Sequence, residues 1–150
     1  MPQTVSGQGH VIPPEGVRRI PTVSVIVPCR NEEDHIATCV KSILAQDGSA
    51  ADFEVIVVDG MSEDGTRGIV AEIATDAPNL RIIDNPSRTT PCAMNRGIEA
   101  ARGRYVAILG AHTEYARDYL RACVNLLEEH PEAACVGGPI VSRGRTCTIP

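Results

Sequence analysis

Three short polar clusters carry most of the side chains that could do chemistry. They are Pro28-Cys29-Arg30-Asn31-Glu32-Glu33, Asp59-Gly60-Met61-Ser62-Glu63-Asp64-Gly65 and Gly110-Ala111-His112-Thr113-Glu114. Each follows an apolar, strand-like run, so all three are expected along one edge of a sheet. Taken singly, each reads as a helix start, with Asn31, Ser62 or Asp64 satisfying free backbone amides. Taken together, with carboxylates, a guanidinium and an imidazole at one edge, they read as a ligand site. The chain has no G-x-G-x-x-G after its first strand, no G-x-x-x-x-G-K-[ST] and no G-x-S-x-G elbow. Those absences argue against a dinucleotide-dependent dehydrogenase, a P-loop enzyme and a serine hydrolase.

The elements that must position these clusters alternate in type. Residues 1–21 are polar and rich in Gly and Pro, and are expected to form a flexible leader ahead of an ordered part spanning 22–150. A β-branched run at 23–27, ended by Pro28, predicts the first strand. From 33 to 46, Ile36, Cys39, Val40, Ile43 and Leu44 fall on one helical face. Strand patterns at 53–58, 80–83, 105–109 and 133–136 alternate with helical patterns over 66–76, from Thr90 to Gly103, and through Leu120, Cys123, Val124 and Leu127. Thr90 is the expected cap of the third helix, with Pro91 in its first turn. Such alternation predicts an α/β fold with a mainly parallel sheet of five strands and helices on both faces. In sheets of this kind ligands bind beyond the carboxyl ends of the strands, where the three clusters lie.

Composition narrows the function classes. Aromatics make up 3% of the chain, with no Trp, which leaves little for stacking single-stranded nucleic acid. The net charge of −5 disfavours a general binder of phosphate backbones, so no nucleic-acid partner is expected. Any phosphate has to be held locally, by a loop, a metal or one or two arginines. The six cysteines include no C-x-x-C pair and no zinc spacing, and most sit in apolar runs. Free thiols are expected, with Cys39 and Cys123 on the inner faces of their helices. No signal-peptide-like or membrane-length apolar run occurs, and the expectation is a cytoplasmic chain.

The motifs resemble those of the family-2 glycosyltransferases. Val23-Ser24-Val25-Ile26-Val27-Pro28-Cys29-Arg30-Asn31-Glu32-Glu33 is similar to the family's opening strand and Pro-x-x-Asn-Glu turn. Val57-Val58-Asp59-Gly60-Met61-Ser62-Glu63-Asp64-Gly65-Thr66 resembles its second signature, Val-Asp-Asp-Gly-Ser-x-Asp-Gly-Thr. The stretch from Ala93 to Gly103 resembles its third helix, and Ile108-Leu109-Gly110-Ala111-His112 stands where the family has an Asp-x-Asp metal motif. The likeness covers about residues 22 to 143, and its variants are similar to bacterial succinoglycan-synthesising glucosyltransferases.

The resemblance implies a GT-A fold, a nucleoside-diphosphate sugar (most often a uridine one) and a divalent cation, Mn²⁺ or Mg²⁺. Pro28, Arg30 and Glu32 would line the nucleoside pocket, and Asp59 would hydrogen-bond the uracil or ribose beside Gly60. Asn95 would lie near the ribose and phosphates, with Gly110 and Ala111 at the nucleotide and His112 as the metal ligand. The pattern departs at Gly110, which replaces a carboxylate, at His112, at Gly60 and at Met94, where many relatives have an Arg. Arg88 is an alternative arginine for the nucleotide. His112 as an inert surface histidine is the other reading of that position.

Family members continue for about another hundred residues, with an acceptor site, a catalytic carboxylate and often membrane helices. The expected reaction is therefore an inverting transfer to a glycan or lipid-linked acceptor in exopolysaccharide synthesis. The acceptor half, any membrane association and the base are expected beyond this chain, and no catalytic base is assigned within it. The competing readings are a non-catalytic nucleotide-sugar-binding remnant and a structural or interaction domain whose strand-end residues only cap helices.

Overall fold

The computed structural model describes residues 20–48, 52–139 and 141. The elements run β1 (Val23–Cys29), α1 (Ile36–Leu44), β2 (Phe53–Asp59), α2 (Thr66–Asp76), β3 (Leu80–Asp84), α3 (Thr90–Ala100), β4 (Tyr105–Ile108) and α4 (Tyr119–Glu129). All strand pairs are parallel, in the order β3-β2-β1-β4. The chain therefore winds outward from β1 to β3, then crosses back to place β4 on the other side of β1. The loops after β1 and β4 part at this reversal, which opens a crevice at the carboxyl edge.

Strand alternation divides the core between two faces. Val23, Val25, Val27, Phe53, Val55 and Val57 face one side, against Ile36, Cys39, Val40 and Ile43 of α1 and Val70 of α2. Burial of Ile36, Val40 and Ile43 stabilises by roughly 1.5–3 kcal/mol each, and all three are inaccessible to solvent. Ile26, Ile56 and Val58 face the other side, against Ala93 of α3. Gly97 permits that contact, because a Cβ there would come within 2.4 Å of Ile26 Cγ2. Helices thus cover both faces, and β1 and β2 are buried along their lengths.

Several boundaries differ from the sequence expectation. Strand β1 runs through Pro28 to Cys29 instead of ending before the proline. Leu109 N–H donates to Ile26 O, so Ile26 and, two residues on, Pro28 point their backbone groups toward β4. Pairing with β4 stops at Ile26, so the N–H that proline lacks has no ladder partner to serve. Helix α1 begins at Ile36 because residues 31–33 are engaged with a second loop and its first residue. Thr90 lies inside α3 and Thr89 holds the cap position, with no side-chain capping bond. The expected fifth strand at 133–136 does not form: Ala133 to Cys135 are exposed, Val136 is half-buried, and none has a strand partner among the described residues. Residues 1–19 of the expected leader lie outside the described residues.

Candidate functional site

The first two polar clusters lock onto each other. Asn31 N–H donates to Ser62 Oγ at 2.9 Å, and Asn31 Oδ1 accepts from Glu63 N–H at 2.9 Å. Glu32 N–H donates to the buried Thr66 Oγ1 at 2.7 Å, and Glu33 N–H donates to Asp64 Oδ2 at 3.1 Å. Gly65 N–H returns a bond to Glu33 Oε2 at 2.7 Å. Asn31 and Met61 adopt left-handed backbone, with φ of 54° and 58°, at the bends that bring the loops together. Asn31, Ser62 and Asp64 do satisfy backbone amides across the two loops, and Asp64 Oδ1 also accepts from Thr66 N–H at 3.0 Å, at the start of α2, as a helix-start reading expects. The motif spacing fixes this mutual brace, because β1 and β2 are in register through Cys29 and Asp59.

Asp59 sits under the brace and is fully buried. Its Oδ1 accepts from Ser62 Oγ at 2.5 Å, and its Oδ2 accepts from Ser62 N–H at 3.0 Å and Arg67 at 2.6 Å. Burial pushes this carboxyl's pKa up, but the Ser62 and Arg67 contacts outweigh it and hold the pKa below the usual range. Arg67 also reaches Asp84 at 2.8 Å and so ties α2 to the ends of β2 and β3. Beside Asp59, burial pushes the Cys29 thiol up to about 12, with Asp59 adding to the shift.

A cleft of about 290 Å³ opens at the reversal between β1 and β4. The β1 end contributes Pro28, Arg30 and Glu32, and β2 contributes Gly60. The stretch after β3 contributes Asn85, Arg88 and Thr89, and the β4 end contributes Gly110, Ala111 and His112. Seven of the nine residues singled out from the sequence thus meet in one crevice. Asp59 lies beneath it, and Asn95 lies on an exposed part of α3 and does not line it.

At one wall His112 Nε2 and Glu32 Oε1 are 3.0 Å apart, with His112 largely exposed and Glu32 mostly covered. The His35 ring meets His112 edge-on, with centroids 5.1 Å apart. Glu32, expected at the nucleoside, is therefore the carboxylate nearest His112. Tyr115, which the sequence reading passed over, fixes this wall. Its hydroxyl accepts from Gly110 N–H at 2.8 Å and donates to Gly110 O at 3.2 Å. Asn85 and Thr89 were also missed. A polar Asp-Asn-Pro run after a short strand was the available signal, and it reads as an ordinary turn.

The described cysteines, Cys29, Cys39, Cys92, Cys123 and Cys135, are free. Cys39 is buried as expected, whereas Cys123 is only half-buried. Cys147 lies outside the described residues. No helix among the described residues is long and apolar enough to cross a membrane.

A parallel sheet reversed beside its first strand, with a polar crevice at that point, defines an open doubly wound α/β protein with a ligand crevice at its carboxyl edge. The chain belongs to glycosyl transferase family 2, whose model matches residues 24–147. It is 34% identical over 107 residues to the succinoglycan biosynthesis protein ExoA of Rhizobium meliloti, covering 70% of this chain and 31% of that protein. It is 32% identical over 124 residues to a Methanococcus voltae dolichyl N-acetyl-alpha-D-glucosaminyl phosphate 3-beta-D-2,3-diacetamido-2,3-dideoxy-beta-D-glucuronosyltransferase, covering 79% and 39%. The chain thus spans roughly a third of the length of these relatives. Among solved structures it is similar to a mannosyltransferase from Pyrobaculum calidifontis in complex with GDP-Man and Mn²⁺. That match has 35% identity and a TM-score of 0.67, over 71% of this chain and 32% of that one. S. aureus TarS in complex with UDP matches with 28% identity and a TM-score of 0.65, over 73% and 33%. The GT-A fold expected from the motifs is that of these neighbours, with four described strands where five were expected.

Proposed function

We propose that this chain forms the donor-binding part of a glycosyltransferase and holds a nucleoside-diphosphate sugar, specifically a uridine one, in the β1/β4 crevice. The observation that carries the proposal is the meeting of Pro28, Arg30, Glu32, Gly60, Gly110, Ala111 and His112 from three strand ends in one cleft. The solved relatives with UDP or GDP-Man support it by likeness of fold and sequence. Arg30 and Arg88 offer guanidinium groups to the ligand, and α3 starts at the cleft with Thr89 and Thr90 in its wall. A helix start of this kind suits phosphate oxygens, through its free amides and dipole. The whole protein would pass the sugar, with inversion, to a glycan or lipid-linked acceptor in exopolysaccharide synthesis at the cytoplasmic face of the membrane.

The cleft wall offers few protein ligands to a divalent cation. No cluster of three His, Cys, Asp or Glu side chains occurs among the described residues, so a fully protein-bound ion does not fit. One imidazole and one carboxylate, His112 and Glu32, do fit Mn²⁺ or Mg²⁺ shared with ligand phosphates, which is how such ions are often held. A cation bound there would supply charge neutralisation to the leaving diphosphate.

Calorimetric titration of the chain with UDP, with and without Mn²⁺, tests both statements. Mn²⁺ should tighten UDP binding about tenfold, or ~1.4 kcal/mol. His112→Ala should lose that gain while leaving metal-free binding unchanged. An absence of UDP binding would sink the donor reading, and an undiminished Mn²⁺ effect in His112→Ala would remove the metal assignment alone.

A further inference from the structure

We infer that helix α1 sets the distance between Glu32 and His112, and that Ser42, on its last turn, is the positioning residue that holds the His112 wall to it. This inference rests on the reading of that pair as the cation's protein ligands. The two residues follow strand ends that the sheet does not hold together. Pairing of β1 with β4 stops at Ile26 and Ile108, and Leu109 N–H makes the last bond, to Ile26 O. Pro28 has no N–H with which to extend it. Glu32 and His112 both lie beyond that point, so the sheet ladder does not fix their separation of 3.0 Å.

Helix α1 reaches both members of the pair. At its start, Glu32 C=O accepts from His35 N–H at 2.9 Å and from Ile36 N–H at 2.8 Å, and the His35 ring meets His112 edge-on. On its last turn, Ser42 Oγ accepts from Tyr115 N–H at 3.0 Å while donating to Cys39 O at 2.8 Å. The Tyr115 hydroxyl in turn closes on the backbone of Gly110, beside His112. Between these ends, Cys39 Sγ donates to Gly110 O at 3.5 Å.

The segment from β4 to α4 depends on such links, because it contains no helix or strand of its own. Just past α1, Gln46 is 6% exposed; its Nε2 donates to Ala116 O at 2.5 Å and its Oε1 accepts from Leu120 N–H at 2.9 Å. It thus supplies the capping bond that Asp118, the N-cap of α4, does not make. Asp47 N–H donates to Arg117 O at 2.6 Å. Residues 115–117 are therefore each pinned to the end of α1, and Ser42 is the link nearest His112. Ligand distances at a metal are held to within about 0.2 Å. A loosened link should therefore act on the cation more than on the nucleotide.

The test is calorimetric titration of the full chain with UDP, with and without Mn²⁺, for the wild type, Ser42→Ala, Tyr115→Phe and Ser42→Thr. In the wild type Mn²⁺ should tighten binding about tenfold. Ser42→Ala and Tyr115→Phe should each cut that gain about fivefold, the scale of one hydrogen bond, with metal-free binding unchanged. Ser42→Thr, which keeps the hydroxyl, should retain the full gain. Tyr115→Phe reads the same link if Ser42→Ala does not fold. A merely structural loss would weaken binding equally with and without Mn²⁺, and that result would overturn the inference. So would an undiminished gain in either folded variant, or a Ser42→Thr chain no better than Ser42→Ala. No gain in the wild type would overturn the cation reading and this inference together.

Discussion

Strand β2 carries a buried carboxylate at each end, and the two have been put to different uses. Glu54, at the amino end, is 3% exposed, and Asp59, at the carboxyl end, is not exposed at all. Each is paired with arginine. Glu54 gathers Arg81, Arg102 at 2.7 Å, Ser24 Oγ at 2.7 Å and the Arg102 backbone N–H at 2.8 Å. Those partners come from β1, β3 and the α3–β4 turn, so one side chain ties four parts of the chain together. Gly103 belongs to the same junction, where a Cβ would lie 2.5 Å from Ser24 N. Asp59 gathers a single loop and one arginine, and what it shapes is the wall of the cleft. A buried carboxylate in this fold is thus a fastener at both ends of the strand. The crevice where the strand-end motifs meet lies at the second one.

The largest expected effect separates the two on stability. Glu54→Ala should cost about 2–3 kcal/mol in urea unfolding, below the ~3–5 of a fully buried pair because Arg81 and Arg102 can rehydrate. The loss should appear without a change in UDP affinity for the fraction that remains folded. Equal losses from Glu54→Ala and from an exposed control such as Glu99→Ala would end the fastener reading.

Acid should reveal the same residue. Burial alone raises the Glu54 carboxyl, but hydrogen bonds from Arg102, Ser24 and Arg81 outweigh it and hold the pKa at about 2, against 4.5 for an ordinary glutamate. Because the folded value is the lower one, this contribution is complete above about pH 4.5 and is lost as pH falls from there toward about 2. Glu54→Gln should flatten that limb of the stability–pH curve. An unchanged limb would assign acid sensitivity to Asp59, whose pKa is also depressed.

Asp59→Asn sharpens the comparison from the other end. Its stability cost should be smaller, about 1–2 kcal/mol, since Arg67 is well exposed and keeps Asp84 as a partner. Its effect on UDP affinity should exceed that of Glu54→Ala, because the Ser62 loop braces the β1 turn that carries Arg30 and Glu32. Equal effects on affinity would show that the cleft does not depend on the brace.

The smallest effect is in thiol reactivity. Cys29 and Cys39 are buried with pKa values pushed up to about 12, so they should resist alkylation of the native chain. The exposed Cys135 should label readily, together with Cys92, whose pKa is lowered by hydrogen bonds from Thr89 and Ser87. Mass-spectrometric mapping of the labelled positions checks this, and early labelling of Cys29 would mean that the cleft end opens more easily than the buried Asp59 pairing implies.

The sequence by itself determined the order and type of the elements through β4 and α4, because strand and helix periodicities are local and strong here. Val23 to Val27 and Phe53 to Val58 leave almost no room for another reading. It also determined that three polar loops share one edge, which follows from parallel strands of similar length. Local pattern could not determine whether 133–136 pairs as a strand, since pairing needs a neighbour that periodicity does not reveal. Nor could it say which polar residues face a ligand. Asn31, Ser62, Asp64 and Asp59 look like site residues in a motif, yet the register of β1 against β2 turns them toward one another. Glu54 looks like an exposed strand position until Arg81 and Arg102 arrive from 27 and 48 residues away. Asn85 looks like a turn residue until α3 fixes its amide and leaves one oxygen unpaired. Hydrogen-bond partners distant in the chain decide these assignments, and only the folded backbone brings them within 3 Å of each other.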